Sequence, residues 1–315
     1  MTTTAPAPTG TPPREAGRRR RRGAAHLGRR DTAVLAAMLG VPLLLSLALV
    51  WGPALLSVAL SFTRWNGVGE LTDAVPVGLE NYRQVVTNYP PFWPALQHNV
   101  VWLVVFLVLA TPTGLLLAVL LDKELRGTRV YQSAIFLPVV LSLALVGFIW
   151  QLVYSRDQGL LNAVLGTDVD WVGDSSINLW AALLAASWRH VGYVMVLFLA
   201  GLKGVDPALK EAAALDGAGE VQVFRHVTLP SLAPTSVVVL VITVIEALRA
   251  FDLVYVLNRG RNGLELLSVL VTDNIIGEAS RIGYGSAVAT ILLVVSLGVI
   301  VPYLVVVLRE RRGAS

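Results

Sequence analysis

Ionisable residues are sparse in the apolar part of this 315-residue chain, and the few found there are spaced so that they could act together. Arg189 and Tyr193 are four residues apart, and Thr243 and Glu246 three apart, so on helices each pair would share a face. Charge inside an apolar segment is costly and is kept where it meets a counter-charge, a cavity or a polar solute. The chemistry these residue types suggest is hydrogen bonding to a polar solute, with Arg189, Tyr193, Thr243 and Glu246 as candidate binding residues. A competing reading has Glu246 and Arg249 neutralising each other within one helix and Asp252 at headgroup level. Trp150 and Trp188 could stack on a ring, and could equally serve as packing or interface residues.

Catalytic chemistry has no comparable constellation. His26, His98, His190 and His226 fall in four separate regions, and there is no cysteine for thiol or disulfide chemistry. None of Lys123, Lys203 and Lys210 follows a glycine, so the chain lacks a P-loop, and neither H-E-x-x-H nor G-x-S-x-G occurs. No catalytic residue, metal ligand or bound cofactor is expected.

The elements that carry these residues are set by composition. At 55% hydrophobic and 15% charged residues, the chain has more apolar surface than a soluble domain of this length hides. A hydrocarbon core of roughly 30 Å takes about 20 helical residues to cross. Uncharged or nearly uncharged runs predict six transmembrane helices, at about 33–62, 99–121, 131–154, 178–202, 231–255 and 283–308. Continuous runs without alternation exclude a β-barrel, so the expected fold is an all-α integral membrane protein.

Basic residues orient the spans. With the N-terminus cytoplasmic, 17 of the 25 Lys and Arg residues, all three lysines among them, fall in inside segments; six fall outside, and Arg189 and Arg249 lie within spans. Both termini are therefore expected to be cytoplasmic, as is the polar stretch 203–230. Residues 1–30, with five consecutive arginines at 18–22, cannot bury a core and predict a disordered tail beside the anionic leaflet. The apolar run that follows is too long for a cleavable signal, and no aromatics interleave the arginines as nucleic-acid binding would favour. Residues 310–315 form a second short tail.

The stretch Lys203–Pro230 interrupts the apolar pattern with helix punctuation. Asp206 followed by Pro207 reads as N-cap and first helical residue, Ala208–Leu215 are good helix formers, and Gly217 suits a left-handed cap. A second short helical piece over 219–226 precedes Leu229 and Pro230. By itself this pattern equally describes a surface helix pair that merely joins two spans.

Its detail narrows the reading. Glu211, Ala212, Ala213, Asp216, Gly217, Val227, Leu229 and Pro230 resemble the EAA loop of the membrane subunits of bacterial binding-protein-dependent ABC importers. Phe136, Leu137, Pro138, Trp150 and Gly159–Asn162 are similar to the FLP…W…GLxN run of the carbohydrate-importer branch, whose members include maltose and glycerol-phosphate permeases. Gly78–Tyr82 resembles its GLxNY segment, and Gly283–Ala287 its GYxSA entry to the last span. Asn258–Gly263 departs from the branch's glycine-rich stretch. The resemblance covers residues 33–309 and implies a type I importer permease domain over 31–309. It further implies a second permease, a cytoplasmic ATPase dimer that holds the ATP and magnesium, an extracytoplasmic solute-binding protein and a carbohydrate cargo. Glu211, Ala212, Ala213, Asp216, Gly217, Leu229 and Pro230 would form the ATPase-coupling surface, and Arg189, Tyr193, Thr243 and Glu246 would lie in the sugar pocket. A stand-alone secondary transporter is the alternative; it predicts internal repeats with broken helices and leaves the EAA pattern unexplained.

Overall fold

The computed structural model describes residues 28–123, 127–277 and 280–313. The arginine-rich tail lies, up to residue 27, outside the described residues. Contacts divide the chain into two units, 1–53 and 54–315. The first unit holds helix α1 (Arg29–Ser46) and a π-turn, Leu47–Trp51, with apolar side chains such as Met38 and Leu49 exposed.

The second unit begins at Ala54, within the next helix, and holds everything after it. Helix α2 (Gly52–Leu60) leads into a hairpin of β1 (Thr63–Arg64) and β2 (Val75–Pro76), paired antiparallel, and then the amphipathic α3 (Glu80–Asn88). Helices α4 (Phe92–Val105) and α5 (Thr111–Asp122) are joined by a π-turn into one 31-residue helix. Next come α6 (Thr128–Val140), α7 (Leu143–Val153), the short α8 (Leu160–Leu165) and the long α9 (Asn178–Lys203). The polar stretch forms α10 (Pro207–Leu215), α11 (Glu220–Val223) and α12 (Leu229–Ser231). Helices α13 (Ala233–Leu248), α14 (Asp252–Asn258), α15 (Leu267–Ile275) and α16 (Ile282–Gly313) complete the chain.

Among the described residues, four single helices are long and apolar enough to cross a membrane: Arg30–Leu60, Phe92–Asp122, Asn178–Lys203 and Ile282–Val305. The pair α6–α7 makes a fifth if counted as one span, bent by 103°. Two of the expected continuous helices are thus broken. In the segment 131–154, Pro138 weakens the helix, Leu141 is extended, and Ser142 starts a new helix by accepting from the Leu145 N–H at 3.2 Å. In the segment 231–255, the helix stops at Leu248 and restarts at Asp252. The carbonyls freed there find side chains: Ser268 Oγ donates to Ala250 O, and Asn99 Nδ2 reaches Ala247 O at 3.5 Å. Irregular backbone survives in a membrane protein only where such partners exist.

The core forms around α9. Small residues Ala181, Ala182, Ala185 and Ala186 are buried on it, and α5, α6 and α13 pack along its length. At Gly192 a Cβ would lie 2.3 Å from the carbonyl oxygen of Ile135, so only glycine lets α6 come this close. Against lipid, apolar burial gives little drive to associate, and close packing at small residues takes its place.

The motif residues outside the polar stretch are struts. Asn81 Nδ2 donates to both Ser61 O and Thr63 O at 2.8 Å, and the Tyr82 and Ser61 hydroxyls meet at 2.5 Å, which holds α3 to the end of α2. Asn162 is buried at the centre of the 156–171 loop. It donates to Arg156 O (3.1 Å) and Val169 O (2.9 Å), and its oxygen accepts from Trp171 Nε1 (2.8 Å) and Thr167 Oγ1 (3.1 Å). Arg156 closes the loop through two hydrogen bonds to Asp168, whose carboxyl they and the guanidinium charge hold below the ordinary range. Asn162→Ala removes five side-chain hydrogen bonds from this loop, a 3.4 Å bond from the Val169 N–H among them, and is expected to cost about 2 kcal/mol or more. Thermal unfolding in detergent, with proteolysis across 156–171 as a local probe, checks this; unchanged melting and cleavage would remove Asn162 from that role.

Candidate functional site

The polar stretch has the local structure its punctuation predicts. Asp206 is extended and accepts from the Ala208 N–H at 2.9 Å, with Pro207 in the first helical position. Helix α10 ends in a doubly bonded cap: Gly217 N–H donates to Ala214 O (3.1 Å) and Ala218 N–H to Ala213 O (3.0 Å), with Gly217 left-handed at φ +84°. This is the Schellman arrangement, which any residue with a Cβ strains. The second helical piece is a single turn, α11, followed by a π-turn at Phe224–Thr228 that runs into Leu229 and Pro230.

No residue of α10 or α11 is buried. Glu211, Ala212, Asp216, Gly217, Leu229 and Pro230 are exposed and Ala213 is half-buried. Two residues absent from the sequence reading join this surface: Leu215 is 89% exposed and Val221 78%. Both stand out only once the helix boundaries show that they are uncovered among the described residues. The surface is small, combines apolar side chains with the acidic Glu211 and Asp216, and has a form suited to docking. Ion pairs tie it to the end of α5: Lys123–Glu220 at 2.7 Å, and Asp122 with Lys203 (3.2 Å) and Lys210 (3.3 Å). The Lys123 hydrogen bond and charge hold the Glu220 carboxyl below its usual range.

The intramembrane candidates fall into two adjoining groups. Arg189 on α9 meets Glu246 on α13 at 3.6 Å, so the counter-charge comes from another helix and the expected Glu246–Arg249 neutralisation is not formed. Arg249, at the helix break, is exposed. Arg189, His190 and Glu246 line a cavity of about 30 Å³, closed by Trp102, Phe106 and Phe251. That is room for a single water and far less than a sugar ring. The Arg189 Nε is buried with no hydrogen-bond partner. Thr243 is fully buried and bonds instead to His190 Nε2 at 3.1 Å, with Thr111 at 3.5 Å. His190, an ionisable residue beside Arg189 in the same apolar run and not among the expected binding residues, stacks on Phe106 with ring centroids 4.2 Å apart. Tyr193, one turn along α9, is half-buried and does not line the cavity. Trp150 and Trp188 pack edge to face against each other, with centroids 5.8 Å apart.

The site thus combines a small cavity between helices with an exposed, capped helix on a helical membrane bundle. Residues 84–313 match the family described as binding-protein-dependent transport system inner membrane component. The chain belongs to this family. It is similar to the xylose/arabinose import permease protein XacH of Haloferax volcanii, 36% identical over 275 residues that cover 84% of this chain and 85% of that protein. It is also similar to the arabinooligosaccharides transport system permease protein AraP of Bacillus subtilis, 35% identical over 231 residues, 70% of this chain and 72% of that one. A solved bacterial alginate ABC transporter, in complex with an alginate pentasaccharide-bound periplasmic protein, shares the fold: TM-score 0.75 at 20% identity, over 87% of this chain and 93% of that one.

The permease is accordingly a membrane translocation subunit of an importer that works with partner proteins, and the secondary-transporter alternative falls. Broken helices, the feature that alternative anticipated, are present in α6–α7 and α13–α14, so that feature does not separate the two classes. The Arg189–Glu246 pair is testable on the permease alone. Removing either partner leaves a poorly solvated charge, while removing both does not, so a double-mutant cycle with Arg189→Ala and Glu246→Ala is expected to show about 1–2 kcal/mol of coupling in stability, below the fully buried limit because Glu246 is partly exposed. Additive single effects would show that the contact carries no net interaction.

Proposed function

We propose that this permease forms the translocation path for a sugar or related carbohydrate and is driven by a cytoplasmic ATPase dimer docked on the 203–230 loop. In this reading the domain spans 31–309 and crosses the membrane six times with both termini cytoplasmic. It pairs with a second permease and receives its cargo from an extracytoplasmic solute-binding protein. The observation that carries the reading is α10: an exposed helix, capped at both ends, bearing Glu211, Ala212 and Ala213 in a chain of this family. The two alanines give a low profile for close approach, Glu211 offers an anion to a basic partner, and Gly217 fixes the direction in which the chain leaves the helix. Magnesium-ATP belongs to the partner ATPase.

A carbohydrate cargo is supported by relatives named for xylose/arabinose and arabinooligosaccharide import. Arg189 and Glu246 offer the donor and acceptor pair that sugar hydroxyls exploit, and the unpartnered Arg189 Nε is a donor held ready for such a group. A cavity of about 30 Å³ must widen before any sugar fits, so this geometry corresponds to a closed path. Tyr193 and Thr243 act in this reading as neighbours of the pocket, Thr243 by fixing His190.

Glu211→Arg and Gly217→Pro are each expected to abolish uptake while membrane insertion survives, and Glu211→Arg to release the co-purifying ATPase. The check is uptake by the complete importer in cells together with a pull-down from detergent-solubilised membranes. Wild-type uptake in both variants would refute the coupling role of the loop.

A further inference from the structure

We propose that Asp122 is the positioning residue that locks the coupling helix α10 to the membrane helices α5 and α9, so that movement of the loop reaches both of them together. This rests on the coupling reading of the 203–230 loop.

A lever transmits displacement only if it is rigidly joined to what it moves. Apolar packing does not supply that joint here, because α10 has no buried residue. Between it and the bundle lies a cleft of about 490 Å³, with Val119 and Leu202 on the bundle side and Ala214 and Phe224 on the loop side. The backbone connection is three residues, Gly204–Val205–Asp206, and is anchored as far as Val205, which is buried in one cluster with Leu202 and Leu232. What spans the cleft is charge. Asp122, the last residue of α5, turns one carboxylate oxygen to Lys203, the last residue of α9, at 3.2 Å, and the other to Lys210, on the second turn of α10, at 3.3 Å. One carboxylate thus holds residues on both sides of this link, and the angle between α9 and α10 is set by where α5 ends.

The second tie, Lys123–Glu220, is shorter at 2.7 Å but lies in water, with side-chain exposures of 50% and 86%. The Asp122 carboxylate is only 19% exposed and Lys210 34%; Lys203, at 54%, is as open as Lys123, so the shelter lies at the carboxylate and on the α10 side of the tie. Exposed single pairs contribute little and are screened by salt, whereas a sheltered carboxylate shared by two cations forms a network with less freedom to lose. Asp122 is therefore the joint, and Lys123–Glu220 a guide beside it.

The chain contains no cysteine, so two introduced cysteines would be its only thiol-labelling sites. Spin labels on Leu116→Cys in α5 and Leu209→Cys in α10, both exposed positions, report the distance across the joint by pulsed electron resonance in the complete importer, purified from its native membrane. The expected result is one narrow distance that persists both without nucleotide and with ATP and vanadate, since the two helices move as a unit. In Asp122→Asn, and in Lys210→Gln as an independent removal of the same tie, the narrow distance is lost to a broad distribution, and in Asp122→Glu it is retained. A narrow distance in Asp122→Asn, or equal loss in Asp122→Glu, overturns the proposal. Retention of the ATPase by Glu211→Arg importer tells against the coupling reading itself and is scored separately by pull-down.

Discussion

In hydrocarbon no water is present to satisfy a backbone N–H or C=O, and everything else in this permease follows from that constraint. It confines the crossing segments to helices, and it makes each departure from a helix depend on a side chain able to take up the freed groups. The two breaks in the bundle meet this condition in different ways. At 141–142 the new helix is capped from within by Ser142, and at 249–251 the loose carbonyls are reached by Asn99 and Ser268 from α4 and α15. Asn99 also accepts from the Leu267 N–H at 2.9 Å, so one buried amide in the middle of α4 joins the end of α13 to the start of α15.

The same constraint explains why α9 is the axis. Helices in lipid gain from approaching closely, and α9 provides a row of alanines and Gly192 against which α5, α6 and α13 settle. Its polar residues, Arg189 and His190, are then held inside by partners on neighbouring helices, Glu246, Thr243 and Phe106. A small cavity lined by Arg189, His190 and Glu246 among apolar side chains is a by-product of this packing.

The two ends of the bundle are organised by different means. At the end carrying α3 and the 156–171 loop, asparagines tie short segments to backbone carbonyls, a stiff and directional arrangement. At the end carrying α10, joints are ionic and span a cleft, and the apolar residues Leu215 and Val221 are left uncovered.

The amino-acid sequence alone determined what period and punctuation can encode: the apolar segments, the helix start at Asp206–Pro207, the left-handed Gly217, and the motifs that resembled an importer permease. These are local, since each depends on residues within a turn or two. It also isolated Arg189 and Glu246, because charge in an apolar run is visible without a fold. Pairing was decided only by the tertiary structure. Glu246 faces Arg189 from 57 positions away instead of its helical neighbour Arg249, Thr243 turns to His190, and Tyr193 falls outside the cavity, since helix rotation about its axis is set by packing against other helices. The breaks at 141–142 and 249–251 were equally hidden, because an uncharged run looks continuous until a neighbouring helix supplies the side chains that let it bend.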